Sequence, residues 1–456
     1  METIIRQTKL IGCSLLSREE IFEESVKQHR IYRGKIEVSP KVPIVSIRDF
    51  AIWYTPGVAG PVRAIKSDPD RSFELTSRWN TIAVVSDGTR VLGLGNVGPE
   101  AALPVMEGKA LLFKYLGGVD AVPLVIRASS AEEFIKIVKA LEPSFGGINL
   151  EDIESSKCFY ILDKLREELD IPVWHDDQQG TALVVLAALI SAFKVVGKDL
   201  RKARIVLVGL GAANYSILRY LGIYGVDLGN VLVVERPGIG ILHRNHPRLQ
   251  QFKDSAPHWY DAALKTNRDC LSGGIPEALK GADAVIAASK PGPGVIKKEW
   301  IKSMADDPIV FALANPVPEI LPHEAKEAGA KVVATGRSDY PNQVNNSLGF
   351  PAVFRGALTV RSRKISDGMC IAAAEALAKY VEERGLSEDY IIPRMDEEEA
   401  YVAEAIAVAE EAMREGVARA SMSRSELEEA IRELINRPKK FMDAALREGL
   451  ITLSRK

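Results

Sequence analysis

Residues 146–182 read GGINLEDIESSKCFYILDKLREELDIPVWHDDQQGTA. A short apolar run, Gly147-Ile148-Asn149-Leu150, stops at the acidic pair Glu151-Asp152. Cys158, Phe159, Ile161, Leu162, Leu165 and Leu169 then recur at helical spacing and predict a helix with one apolar stripe. A second apolar run, 171–175, stops at a second acidic pair, Asp176-Asp177. Strand, helix, strand in that order predicts a parallel crossover, which delivers the carboxyl ends of both strands to one sheet edge. Ligands bind at that edge in α/β sheets. Three or four carboxylates therefore converge there, and like charges so close require a cation. With oxygen ligands only and no Cys or His pair, the set favours Mg²⁺ or Mn²⁺ over Zn²⁺. One acidic pair alone reads as a helix cap facing water; two pairs at the ends of adjacent strands point to a metal site.

Downstream, 182–196 is a continuous apolar helix. The run 203–208 then reads as a buried strand and leads directly into Gly209-Leu210-Gly211-Ala212-Ala213-Asn214. A helix to about residue 225 follows, and a further strand ends in Glu235-Arg236. This is the dinucleotide fingerprint in its proper context. Gly209 and Gly211 admit a pyrophosphate to the helix start at Ala212, Ala213 and Asn214, where free N–H groups and the dipole favour an anion. Glu235 suits the ribose hydroxyls of NAD and repels a 2′-phosphate. Arg236 or Arg244 is a candidate clamp for that phosphate, which keeps NADP open. Asn214 stands where the third glycine belongs and predicts looser helix–strand contact. Strands at 284–288, 309–314 and 331–334 extend the alternation into a doubly wound parallel sheet. Asn315-Pro316 and the polar stretch 335–346, with Asn342, Asn345 and Asn346, follow two of these strands. Such asparagines are turn residues or, at a nucleotide-binding edge, groups that recognise carboxylates.

Upstream, Ser17-Arg18-Glu19-Glu20 is a capping box for a helix to about His29. Pro56 and Gly57 place Tyr54 at a rigid turn. Runs 81–86 and 90–95 around Asp87-Gly88 predict a hairpin. The glycine run 92–98 follows that hairpin and meets Pro99, so it lacks the context of a nucleotide site. A helix from about Val105 carries Lys109; by pattern alone Tyr54 is a packing residue and Lys109 a solvated lysine. Helices at 372–383 and 397–415 and an amphipathic segment starting at Ser423 complete the chain.

At 456 residues the chain exceeds one core. It divides as an α/β substrate and metal domain (1–175), a Rossmann-like domain with following helices (176–420) and a helical extension (421–456). A net charge of −2 argues against nucleic acid or an anionic membrane as partner. No apolar stretch reads as long enough to span a bilayer, and METIIRQTKL has no signal-peptide pattern. Four scattered cysteines predict reduced thiols in the cytoplasm.

With Tyr54-Thr55-Pro56-Gly57-Val58-Ala59, Ser86-Asp87-Gly88, Leu92-Gly93-Leu94-Gly95, Glu107-Gly108-Lys109, Asn149-Leu150-Glu151-Asp152 and Asp176-Asp177-Gln178-Gln179-Gly180-Thr181-Ala182 in this order, the chain resembles the malic enzyme family. Ala314-Asn315-Pro316 and Asn342-Gln343-Val344-Asn345-Asn346 continue the likeness, which runs from about residue 14 to 419 and is nearest the short prokaryotic form. The resemblance implies oxidative decarboxylation of L-malate to pyruvate and CO₂ with NAD(P) and Mg²⁺ or Mn²⁺, in a homodimer or higher homo-oligomer. It implies Glu151, Asp152 and Asp177 as metal ligands, and Lys109 as the base for the C2 hydroxyl with Asp176 beside it. Tyr54 is similar to the acid that protonates C3. Asn315, which also borders the cofactor, matches a carboxylate-holding position together with Asn345 and Asn346. Arg90 resembles a substrate-gripping arginine of larger family forms. Two other readings stand beside this one: a redox-neutral, malolactic-like decarboxylase, and a catalytically silent paralogue that acts by binding.

Overall fold

The computed structural model describes residues 18–452 apart from Leu92 and Gly93. Ser17 of the expected capping box, the start of the 92–98 glycine run and the last four residues of the extension lie outside the described residues. Along the chain the elements that position the site are α1 (Arg18–Tyr32), β1 (Thr81–Ser86), α2 (Pro99–Gly117), β2 (Asp120–Val125), β3 (Gly147–Leu150), α3 (Ser155–Glu168) and β4 (Val173–His175). They continue with α4 (Thr181–Val195), β5 (Ile205–Val208), α5 (Ala212–Tyr224), β6 (Val231–Val234), β7 (Ala284–Ala287), β8 (Ile309–Ala312) and β9 (Val332–Thr335). Helices α6 (Phe350–Thr359), α7 (Asp367–Glu382), α8 (Glu398–Arg414) and α9 (Arg424–Arg447) close the chain.

The strands form two sheets, ordered β2-β1-β3-β4 and β6-β5-β7-β8-β9, and every pairing is parallel. The expected hairpin at Asp87-Gly88 does not form. Both edges of β1 are taken by β2 and β3, so no antiparallel strand can pair with it. Asp87 instead closes its own turn, its Oδ1 accepting from the Thr89 N–H at 3.1 Å. Helix α2 begins at Pro99 rather than near Val105. Proline suits the first helical position because its missing N–H has no intrahelical partner there in any case.

Helix α4 is apolar on every side, and twelve consecutive residues, Ala182 to Phe193, are buried. Contrary to the sequence expectation, the stretch Asp176–Val195 is long and apolar enough to cross a membrane. It is a core helix: 83% of it is buried in the fold. One apolar cluster runs from Ile82 and Val84 of β1 through Phe113, Trp174 and α4 to Phe311 of β8 and to Phe350 and Phe354 of α6. Phe113 on α2 meets Phe350 at 4.5 Å and Phe354 at 5.3 Å between ring centroids. The C-terminal helices thus return to the lysine-bearing helix, and α9 packs on it as well. Ser423 caps α9 as its sequence indicates, its Oγ accepting from Glu426 N.

Candidate active site

β3 and β4 lie side by side with Leu150 opposite His175. Glu151-Asp152 and Asp176-Asp177 therefore leave the same sheet edge together, as the crossover pattern requires. Asp152 adopts φ 54°, and its N–H donates to Asp177 Oδ2 at 3.0 Å. One oxygen from each of Glu151, Asp152 and Asp177 lies within 4.8 Å of the other two; the first two residues are buried and the third half-buried. An all-carboxylate donor set with no thiol or imidazole fits a hard divalent cation such as Mg²⁺ or Mn²⁺.

Lys109 reaches this group from α2. Its Nζ lies 3.2 Å from Glu151 Oε1 and pairs more closely with Asp176 Oδ2. The side chain is only 11% exposed, so it is not the solvated lysine that its pattern suggests. Trp174 Nε1 donates to the other oxygen of Asp176 at 3.0 Å, and Asn149 Nδ2 donates to Glu151 Oε2 at 3.0 Å. Burial alone would lower the pKa of the lysine, but Asp176 and then Glu151 outweigh it and hold the pKa above the ordinary value. Four carboxylates share one ammonium here. Burial, opposed by Lys109 and reinforced by Asp176, Asp177 and Asp152, pushes the Glu151 carboxyl well above its usual range. The cluster carries excess negative charge that a bound cation would relieve. Fully buried His175 lies beneath it, Nδ1 3.8 Å from Asp177 Oδ2, and burial lowers its pKa, keeping it neutral.

The turn Asp176–Gly180 packs against α5, which brings the nucleotide fingerprint beside the carboxylates. Helix propensity favours alanine over glycine at position 180, but a Cβ there would stand 2.0 Å from Asp176 Oδ1 and 3.2 Å from Asn346 Cβ. Asp176 is held by Trp174 and Lys109, so any shift that makes room for the methyl breaks those contacts. Gly180→Ala is expected to keep the fold and lose activity on the order of 10²-fold through misplacement of Asp176. Circular dichroism with steady-state kinetics checks this; an active, folded variant would contradict it.

Gly209 has φ +79, and a Cβ on it would press on Ser289 at 3.1 Å. Gly211 caps α5, and nothing stands within 4 Å of where its Cβ would be, so the N–H groups of Ala212 and Ala213 are open to a phosphate. Asn214 does not loosen the contact as its sequence predicts. Its Nδ2 donates to Val208 O at 3.0 Å and Gly209 O at 2.6 Å, replacing close helix approach with a polar staple. Glu235 closes over the turn, accepting from the Leu210 N–H at 2.5 Å and from the Arg236 N–H at 3.1 Å. The Arg236 guanidinium lies over the Trp259 ring at 5.5 Å.

The remaining sequence candidates divide. Asn346 stands beside Gly180 and Asp176. Asn345 spends its Oδ1 on the Ser347 N–H at 2.9 Å and acts as a cap. Exposed Asn315 follows β8 and lies against Gly336 after β9. Arg90 is exposed, and its N–H donates to Asp152 O at 3.0 Å, placing it on the rim. Tyr54 is 70% exposed, and among the described residues no hydrogen bond joins it to Lys109, Glu151 or Asp176. Sequence reasoning missed Trp174, Asn149 and Phe350, whose ring centroid is 4.3 Å from Lys109 Nζ. The first two were readable as inward positions on β3 and β4; Phe350 carried no signal.

A dinucleotide-binding fold joined to a carboxylate cluster with a buried lysine is the arrangement of a dinucleotide-dependent oxidoreductase. Residues 178–413 match the family model described as malic enzyme, NAD binding domain, and residues 33–133 and 127–166 match malic enzyme, N-terminal domain. The chain is 50% identical over 386 residues to the NAD-dependent malic enzyme of Geobacillus stearothermophilus, covering 85% of this chain and 78% of that one. It is 45% identical over 413 residues to the bifunctional malic/malolactic enzyme of Bacillus subtilis, covering 90% and 98%. The crystal structure of malic enzyme from Pyrococcus horikoshii superposes with a TM-score of 0.88 at 53% identity, covering 94% and 99%. The chain belongs to the malic enzyme family, NAD(P)-dependent enzymes that oxidatively decarboxylate malate.

Proposed function

We propose that this chain converts L-malate to pyruvate and CO₂ with Lys109 as proton acceptor for the C2 hydroxyl, and that NAD is the preferred cofactor. The observation that carries the reading is the position of Lys109 Nζ, between Asp176 and Glu151. Through Glu151 the base adjoins the candidate metal group of Glu151, Asp152 and Asp177, so a hydroxyl held at those carboxylates is within reach of the amine. When bound, a divalent cation there supplies charge that polarises the C2 oxygen and steadies an enolate, and the nicotinamide supplies the hydride acceptor. Asp176, itself fixed by Trp174, orients the lysine, and with Glu151 it holds the amine protonated. A cation at the carboxylates would offset that hold and favour the neutral amine that accepts the proton, and Asp176 then stabilises the ammonium that forms. Asn346, with Asn315, Asn345 and Arg90 at the rim, is suited to hold the substrate carboxylates. Gly209, Gly211, Ala212, Ala213 and Asn214 would form the pyrophosphate cradle. Glu235 favours NAD because its charge opposes a 2′-phosphate; Arg236, whose guanidinium lies over the Trp259 ring, and Arg244 are the groups that would serve NADP instead.

Tyr54 is the proposed donor of the C3 proton. It lies in a segment that exposes Ile44, Val45, Ile47, Phe50, Ile52, Trp53, Val58 and Val62. So much exposed apolar surface in one stretch supports a homodimer or higher homo-oligomer in which this segment is covered. Tyr54 would then be shielded from water, as proton transfer to an enolate requires. Among the described residues Cys158, Cys270 and Cys370 are free thiols, in keeping with a cytoplasmic location, where thiols stay reduced. The bifunctional Bacillus subtilis relative gives weight to a second, malolactic outcome. An assay with L-malate and Mn²⁺, run with NAD and NADP and with pyruvate and lactate quantified, decides. Equal reduced cofactor and pyruvate, with the lower KM for NAD, is expected. Lactate without reduced cofactor would replace the redox reading, and a lower KM for NADP would overturn the cofactor preference.

A further inference from the structure

We propose that Phe350 is a positioning residue for catalysis, holding the Lys109 ammonium by its ring face. The inference rests on the role given to Lys109 above. The carboxylates of Asp176 and Glu151 engage the lysine on one side. The Phe350 ring centroid lies 4.3 Å from Nζ, inside the range of cation–π attraction. An aromatic face carries negative potential, so it attracts the ammonium without offering it a hydrogen-bond acceptor. Phe350 is fully buried and is itself fixed by Phe113, centroid to centroid 4.5 Å, at 55° between planes. It opens α6 directly after the loop that carries Asn346, and Pro351 follows it as a rigid start to the helix. One loop and helix start thus deliver both Asn346, beside Gly180, and the ring that meets Lys109. The lysine side chain has four rotatable bonds, and a ring contact at Nζ restricts its swing away from the reacting hydroxyl.

The test keeps the volume of the ring and changes its charge. 4-Fluoro-, 3,5-difluoro- and 3,4,5-trifluorophenylalanine are incorporated at position 350 of the full chain, and malate oxidation is measured at saturating NAD and Mn²⁺. A stepwise fall in kcat is expected, about tenfold across the series, while KM for malate stays within about twofold. The same series at Phe354, which also contacts Phe113 but whose ring, among the described residues, makes no cation–π contact with Lys109, is expected to be flat. A flat kcat series at position 350, or one matched at position 354, would overturn the proposal and reduce Phe350 to packing. Lys109→Ala separates the two readings: if it retains malate oxidation, the assignment of Lys109 falls. If it is inactive while the position 350 series is flat, only the role of Phe350 falls.

Discussion

Lys109→Ala is expected to lower malate oxidation on the order of 10²- to 10⁴-fold, the usual contribution of a positioned general base, while retaining part of the pyruvate enolisation activity. Tyr54→Phe is expected to do the reverse. The two steps separate because they use different protons: one leaves the C2 hydroxyl, the other arrives at C3. Reduced-cofactor formation reads the first and deuterium entry into the pyruvate methyl group reads the second. The lysine variant also carries a cost in stability. Asp176 is completely buried, and loss of Lys109 leaves its charge without a cation. Removal of one member of a buried ion pair typically costs about 3–5 kcal/mol, so the variant should melt earlier than the wild type. Added Mn²⁺ should restore part of the difference, since it returns positive charge to the same cluster. If both variants kept wild-type rates in both assays, the assignment of acid and base would be wrong.

Asp177→Asn is expected to abolish metal dependence while raising the stability of the metal-free protein. Three carboxylate oxygens within 4.8 Å of one another repel when no cation lies among them. At about 4 Å, two unit charges near a protein surface interact by roughly 4 kcal/mol, and the partial exposure of Asp177 reduces that further. Removing one charge while keeping the shape therefore favours the empty site. Neutral asparagine can still accept from the Asp152 N–H through its side-chain carbonyl, so the turn at Asp152 should survive. Melting temperature with and without Mn²⁺ gives the contrast: the wild type should rise with metal, and the variant should start higher and stay unmoved. Isothermal titration with Mn²⁺ should show affinity at least about tenfold weaker. A variant that binds Mn²⁺ like the wild type would remove Asp177 from the ligand set.

The legible parts of this chain were those governed by local rules. The stripe from Cys158 to Leu169 gave α3, the acidic pairs gave the edge at which β3 and β4 end, and the glycine turn at Gly209 and Gly211 gave the start of α5. The errors have a common origin. Asp87-Gly88 has hairpin chemistry, but β1 is an interior strand whose two edges were already claimed by residues far along the chain. Asn214 breaks the glycine pattern, yet its amide reaches two carbonyls of the turn it was expected to loosen. Apolar α4 met the length of a membrane span because a helix buried on all sides and one surrounded by lipid face the same solvent.

The amino-acid order by itself determined the two parallel α/β units, the convergence of carboxylates and the strand–glycine turn–helix unit from β5 to α5. Each follows from spacing within about forty residues, where the periods of helix and strand act. Only the tertiary structure decided that Lys109 is buried between Asp176 and Glu151, that Gly180 leaves room for Asp176 and Asn346, and that Phe350 backs the lysine. Those contacts join segments distant in sequence, and they form because one apolar core draws α2, α4 and α6 together. A lysine in a sequence has no neighbours until that core exists, and its charge, reach and chemistry are properties of the neighbours.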